Sequence, residues 1–337
     1  MTPEPIVIWG AGAMGGSIGA SLLRAGRDVL FVDTDDAHAA AIRQRGLRIT
    51  GPVDDFTVDA YCALPDWLDP GPRTVLLCVK AHHTPAAMEA LAPLLHQDGF
   101  VVSVQNGLNE EVISGYVGAE RTVGCFVNFG ADVVEPGVIL RGNRGAVVVG
   151  ELDGSDTPRI RDLHALFRLF EPDAVLTDNI HGYLWGKLAY GAMLFATALA
   201  DASIADVLAS ERHRPTLVEL AREVMAVAEA RRIVPEAFDG FDPAAFRRGA
   251  PIDGALSSLD RLVAFNRASA KSHSGVWRDL AVRRRRTEVD AQIAPVAGLG
   301  TESGVDTPLT SRLVRLIHEV EEGVRTQSWE TLDALLR

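Results

Sequence analysis

Residues 6–15 read IVIWGAGAMG. Four residues of strand-forming character run into Gly10, Ala11, Gly12, Ala13, Met14 and Gly15, a G-x-G-x-x-G pattern that opens a helical stretch. Strand, glycines and helix in that order are the context a dinucleotide-binding turn requires. Gly10 permits the tight turn, Gly12 lets a pyrophosphate approach the backbone, and Gly15 lets the helix pack close to the strand. The helix start then offers N–H groups and its positive dipole end to phosphate. The competing reading is a glycine-rich turn without a ligand.

The next apolar run, 29–32, ends at Asp33, 18 residues after Gly15. A carboxylate near that spacing binds ribose hydroxyls, and it repels a 2′-phosphate. Thr34, Asp35 and Asp36 follow without a cation. These residues favour NAD(H) over NADP(H). A helix cap is the other reading of Asp33.

Outward from the loop, apolar runs at 75–79, 100–104 and 121–126 alternate with amphipathic stretches at 17–25, 38–45 and 84–95. Alternation of this kind predicts βαβ units and a parallel sheet covered on both faces. The stretch EPGVILRGNRGAVVVG holds two more strand-like runs, 138–141 and 145–150, with hairpin turn residues, and predicts a smaller antiparallel element. Beyond it the texture turns helical: 185–200, 215–231, 256–270, 288–297 and 307–323 carry helical spacing. The predicted class is α/β plus all-α. A Rossmann doubly wound sheet spans 1–178 and a helical substrate domain spans 179–337. A last helix, 329–336, is expected to dock on the body or on a second subunit, which leaves a homodimer open.

The chain has 337 residues, with 33 Lys and Arg against 45 Asp and Glu, a net charge of −12. That balance argues against a general nucleic-acid binder, while a local site for a small anion stays compatible with it. The three Cys exclude a disulfide framework, and no cluster has metal-ligand spacing. Cys78 sits in TVLLCV and reads as a small core residue. The start has no signal-peptide pattern, and no uncharged apolar run approaches the ~18 residues of a membrane span. The expectation is a cytoplasmic enzyme with neither membrane nor nucleic acid as partner.

The glycine loop, CVK at 78–80, QNG at 105–107, WGKL at 185–188, TEVDA at 287–291 and GVDTP at 304–308 are each short, but their order and spacing are fairly specific. On these pieces the chain resembles the ketopantoate reductase (2-dehydropantoate 2-reductase) family over nearly its whole length. The resemblance implies a Rossmann domain, a helical substrate domain and a cleft between them. It also implies reduction of a 2-oxo acid by NAD(H) or NADP(H), the product being pantoate. Lys187 matches the family's catalytic Lys, which protonates the forming alkoxide. Lys80 and Asn106, read as ending successive strands, would face the nicotinamide and the reacting carbon. Glu288 matches the Glu that contacts the substrate hydroxyl, and Ser274 lies near the substrate-binding serines.

Chemically these residue types suit a hydride acceptor. Charge develops on the carbonyl oxygen, and the site must supply a proton or a cation there. Each position also has a plainer reading. Lys187 and Lys80 would be surface charges, Asn106 a turn residue, Glu288 a helix-start acid behind a Thr287 cap. Residues 283–286, four Arg in a row, would pair with acidic neighbours or else draw an anionic substrate toward the site. His82 and His83 read as loop or helix-start residues, and Trp185 as a core anchor under Lys187.

The chain departs from the family in one place. Asn usually stands four and eight residues after the catalytic Lys, on one helix face. Here those positions are Gly191 and Phe195. Extra space at Gly191 and an apolar wall at Phe195 should favour a different acyl substituent. The expectation therefore holds two acids open, 2-dehydropantoate and another 2-oxo or hydroxy acid. A dinucleotide-binding sensor without catalysis is the reading from another class. It would need neither Lys187 nor Glu288.

Overall fold

The structure, a computed structural model, describes residues 4–268 and 272–336. It divides into two compact units, Met1–Ile180 and His181–Arg337.

The first unit runs β1 (Ile6–Trp9), α1 (Ala13–Arg24), β2 (Val29–Val32), α2 (Asp36–Arg45), β3 (Leu47–Thr50), β4 (Phe56–Val58), β5 (Cys62–Ala63), β6 (Thr74–Leu77) and α3 (Thr84–Leu91). It continues through β7 (Phe100–Ser103), α4 (Glu110–Val117), β8 (Thr122–Val127), β9 (Gly130–Glu135), β10 (Val138–Asn143), β11 (Val147–Glu151), α5 (Pro158–Phe167) and β12 (Val175–Leu176). The main sheet has the order β12-β11-β8-β7-β6-β1-β2-β5. From β5 to β8 every pairing is parallel. The chain winds outward from β1 in both directions, so the order reverses between β1 and β6. That reversal is the switch point where open α/β sheets take ligands.

The strands are short and almost wholly apolar because both faces are covered. Ile8, Phe31, Leu76 and Val102 pack on one face, with α1 and α5 contributing Ile18, Leu22, Leu163 and Phe167. Val7, Val75 and Val101 pack on the other with Met88 and Leu91 of α3 and Ile113 of α4.

The antiparallel element predicted from 135–150 divides between two sheets. Within it β10 forms a hairpin with β9, not with β11, turning at Gly137 with φ 79°. They join β3 and β4 in a second sheet of order β4-β3-β10-β9. β11 instead pairs antiparallel with β8 in the main sheet. All five of its residues are buried, a burden that a one-sided hairpin strand would not satisfy.

The second unit is helical: α6 (Ile180–Thr197, beginning at the junction), α7 (Ile204–Ala209), α8 (Arg214–Ala230), α9 (Ile252–Ala268), α10 (Gly275–Ala281), α11 (Val289–Gln292), α12 (Ala294–Glu302), α13 (Pro308–Glu321) and α14 (Trp329–Asp333). The last two positions of the helix expected over 256–270 lie outside the described residues. The helix predicted over 288–297 is two helices. Pro295 lacks the N–H that would continue the hydrogen bonding of α11, and the chain restarts as α12 with that proline in its first turn. The C-terminal helix docks on its own unit. Ser328 N–H donates to Leu199 O at 2.9 Å, Gln327 donates to Ala198 O at 2.8 Å, and Asp333 accepts from Arg212 and His213. No described helix is long and apolar enough to cross a membrane.

Candidate active site

At the switch point the loop after β1 is built to tight tolerances. Gly10 has φ 104°, and a Cβ there would lie 2.9 Å from the Cys78 carbonyl carbon. At Gly15 a Cβ would lie 2.1 Å from Gly10 O and 2.8 Å from Cys78 Cβ. Both glycines are therefore demanded by the fold. Gly12 is not: a Cβ there would meet nothing within 4 Å. Gly12 is also the N-cap of α1, and no side chain caps that helix. Open space over an uncapped helix start is what a pyrophosphate needs, so the residues present fit a dinucleotide.

Asp33, just beyond β2, accepts the Ala11 N–H through Oδ2 at 2.7 Å and the Asp35 N–H through Oδ1 at 2.9 Å. The cap of α2 is Asp35, which accepts from His38 N–H at 3.0 Å. Asp33 thus holds the glycine loop, and each of its oxygens keeps a further lone pair for a ribose hydroxyl. Burial and the neighbouring Asp33 push the Cys62 thiol up to about 12, and burial pushes Cys78 up as well. Neither thiol is a nucleophile near neutral pH.

Lys80 and Asn106 both sit three residues past their strands, β6 and β7, at the same edge of the sheet. Both are half-buried. Lys80 precedes a single turn of 3-10 helix, Ala81–His83, and its carbonyl accepts the His83 N–H at 2.8 Å. His82 and His83 are exposed with ring centroids 4.1 Å apart.

A buried amide network joins these two strand ends. Gln105 donates to Val79 O at 2.9 Å and to Thr84 Oγ1 at 2.8 Å. Thr84 donates to Asn109 Oδ1 at 3.0 Å, and Asn109 donates to Asn106 O at 2.8 Å. The turn that presents Asn106 is thereby tied to the segment that presents Lys80. Beside it, Ser103 Oγ, Gln105 Oε1 and Glu110 Oε1 are buried without a hydrogen-bond partner. Burial pushes the Glu110 carboxyl up to about 7.

In the second unit, α6 is buried on almost every side. Its half-buried positions are His181, Tyr183, Lys187, Gly191 and Leu194, and the last four form one stripe at helical spacing. Lys187 and Gly191 share that face. Phe195 does not: it is 2% exposed, because eight residues carry a helix about 80° past full turns. The apolar residue beside Gly191 on the stripe is Leu194. A Cβ at Gly191 would meet nothing within 4 Å, whereas one at Gly186 would lie 2.7 Å from Glu236 O. Trp185 is 2% exposed and anchors the helix beneath Lys187.

Ser274 caps α10, accepting the Trp277 N–H at 3.1 Å. Glu288 stands at the start of α11 and is half-buried, while Thr287 is held by Glu321 at 2.7 Å. Arg283 and Arg285 both pair with Asp279, at 3.1 and 2.9 Å, so half of the arginine run is engaged with one buried acid. Among the described residues no His, Cys, Asp and Glu group has the arrangement of a metal site.

Sequence reading missed His38, Thr84, Gln105, Asn109 and Glu110. Gln105 carried a signal: an amide at the end of an apolar strand needs partners when buried. His38, 27 residues from Ala11 in the chain, carried none.

The family described as Ketopantoate reductase PanE/ApbA matches residues 6–154, and its C-terminal companion matches residues 179–321. A 2-dehydropantoate 2-reductase from Archaeoglobus fulgidus is 28% identical over 96% of this chain and 100% of its own. One from Mesorhizobium japonicum is 26% identical over 94% and 98%. Among solved structures, a 2-dehydropantoate 2-reductase from Geobacter metallireducens is similar with a TM-score of 0.77 at 26% identity, covering 95% of this chain and 100% of that one. A D-mandelate dehydrogenase with NADH and anilino(oxo)acetate shares the fold, with a TM-score of 0.83 at 22% identity over 95% and 99%.

Proposed function

The chain belongs to the ketopantoate reductase PanE/ApbA family, and we propose that it reduces the carbonyl of a 2-oxo acid to a hydroxyl, taking 2-dehydropantoate to pantoate. The observation that carries this reading is the uncapped start of α1, with open space over Gly12 and Asp33 holding Ala11 beside it. A nicotinamide dinucleotide bound there supplies a hydride to the carbonyl carbon.

This chain's residues do the rest. Residues 10–15 and the start of α1 hold the pyrophosphate. Asp33 accepts from the ribose hydroxyls and disfavours a 2′-phosphate, so NAD(H) is the preferred cofactor. Lys80 and Asn106 would face the nicotinamide and the reacting carbon, as the family resemblance implies. The carbonyl π pair moves onto oxygen as the C–H bond forms, and Lys187 gives that oxygen its proton. Glu288 would accept from a substrate hydroxyl, and Ser274 stands near the position of the family's substrate-binding serines. The assignments of Lys187 and Glu288 follow the family motif position by position, and that of Ser274 rests on that nearness. A homodimer is part of this reading: a structural neighbour from Staphylococcus aureus, with a TM-score of 0.71 at 16% identity, is described as a dimeric ketopantoate reductase.

Gly191 favours a second reading of the substrate. The open space over it and Leu194 on the same stripe suit an acid with a bulkier, less polar substituent than 2-dehydropantoate. Initial rates with NADH and NADPH, on 2-dehydropantoate and a panel of 2-oxo acids, test both. Turnover of 2-dehydropantoate upholds the first reading. Turnover only of bulkier apolar acids upholds the second, and turnover of none overturns both.

A further inference from the structure

His38 lies on α2 at 4% exposure. Its Nδ1 accepts the Gly137 N–H at 3.1 Å, and its Nε2 lies 2.9 Å from Ala11 O. The backbone N–H has only a proton to give, so Nδ1 must offer its lone pair. The carbonyl has only lone pairs, so Nε2 must carry the hydrogen. The two partners together select the neutral ring with its proton on Nε2.

The partners are far apart in the chain. Gly137 is the turn of the β9–β10 hairpin in the second sheet, and Ala11 is the second residue of the glycine loop. The Ala11 N–H is already taken by Asp33 at 2.7 Å. Both faces of the Ala11 backbone are thus held, the N–H from the end of β2 and the carbonyl from α2. The neighbourhood leaves little slack: a Cβ at Gly16 would lie 2.7 Å from Ala11 O and 2.2 Å from the Ile139 side chain of β10. Ala11 itself is fully buried, so its backbone groups are oriented from within the protein.

We propose that His38 is a positioning residue for cofactor binding, fixing the glycine loop through the Ala11 carbonyl and joining it to the hairpin turn at Gly137. The second sheet thereby acts on the cofactor site, because its turn orients the histidine that orients the loop. His38 touches no reacting atom, so it acts on affinity and not on the chemical step. The proposal rests on the dinucleotide site proposed above, and its test reads NADH binding, not turnover, so that the two fail separately.

The test compares His38→Phe, which keeps a ring and loses both bonds, with His38→Gln, whose amide offers one donor and one acceptor. NADH binding is followed by fluorescence titration of the purified full chain. Loss of the brace should weaken NADH by about tenfold or more in His38→Phe, raise KM for the cofactor in step, and leave kcat at saturation and KM for the acid nearly unchanged. His38→Gln should recover most of the affinity. NADH affinity unchanged in His38→Phe, or a fall in kcat with affinity intact, overturns the proposal. Should His38→Phe not fold, the wild type decides. Nitrogen-15 histidine spectra, assigned by subtracting His38→Gln, should show His38 with its proton on Nε2, with and without NADH. A proton on Nδ1 overturns the proposal whether or not NADH binds.

Discussion

The Asp33 carboxylate accepts the backbone N–H of Ala11 at 2.7 Å, across 22 residues of sequence. One side chain thereby holds the glycine loop in shape, and on the proposed reading its remaining lone pairs accept from the ribose hydroxyls. The two roles respond differently to substitution. Asp33→Asn keeps an oxygen for Ala11 and removes the negative charge. It should bind NADH somewhat more weakly and NADPH more tightly than wild type, measured as Kd for each. Asp33→Ala should weaken both. An unchanged NADPH affinity in Asp33→Asn would show that this charge does not govern the choice.

Gly12 and Gly15 stand three residues apart and should fail in different ways. A Cβ at Gly15 meets Gly10 O at 2.1 Å, while one at Gly12 meets nothing within 4 Å. Gly15→Ala should lower Tm, with a loss on the order of 2 kcal/mol for a backbone forced to shift. Gly12→Ala should keep the wild-type Tm and lose NADH affinity, because its methyl occupies the cofactor's approach. Thermal melts beside NADH titrations decide this. A Gly12→Ala protein with full affinity would remove the pyrophosphate from that place.

Glu110 predicts a pH dependence of stability. Its carboxyl is raised by burial from 4.5 to about 7. Between those values the unfolded chain has released a proton that the native chain retains. The unfolded state binds fewer protons, so stability falls as pH rises through this window and levels off above it. The gap corresponds to about 3 kcal/mol. Glu110→Gln cannot ionise. Relative to wild type it should gain stability between pH 5 and pH 8, read from Tm or from denaturant midpoints. A difference that does not vary with pH would place the ionisation elsewhere.

Gly191 should accept a side chain at no cost to the fold. Gly191→Asn adds a residue that suits helix better than glycine does into open space, so Tm should hold or rise slightly. The new amide should raise KM for bulky apolar 2-oxo acids and lower it for 2-dehydropantoate. An acid preference that does not move would take Gly191 out of the substrate's surroundings.

Much of the fold was legible because it depends on local patterns. The strand, glycines and helix of residues 6–24 are consecutive, so their pattern is read within one short window, although the close contacts that demand Gly10 and Gly15 include Cys78. Helix periodicity in the second unit likewise reads along one face at a time. What escaped depended on partners distant in sequence. β11 and β10 carry similar apolar runs, and only the choice of neighbour sends one to the main sheet and the other to the second. Phe195 was assigned to the face of Lys187 by counting in fours; the true helical pitch turns it inward and brings Leu194 to that face. His38 and the Gln105 network were invisible because their roles arise from backbone groups that folding brings to them. Lys80 and Asn106 were placed near the right sheet edge, but what fixes their loops was not visible.

On the proposed function a 2-oxo acid accepts hydride and Lys187 supplies the proton. The direct measurement is single-turnover oxidation of NADH by the acid the enzyme prefers, for wild type and Lys187→Ala, beside NADH affinity for both. Wild type should oxidise NADH rapidly, Lys187→Ala should be slower by about 10²–10⁴, and NADH affinity should be the same in both. Equal rates in the two proteins, or NADH bound with no oxidation by any 2-oxo acid, would contradict it.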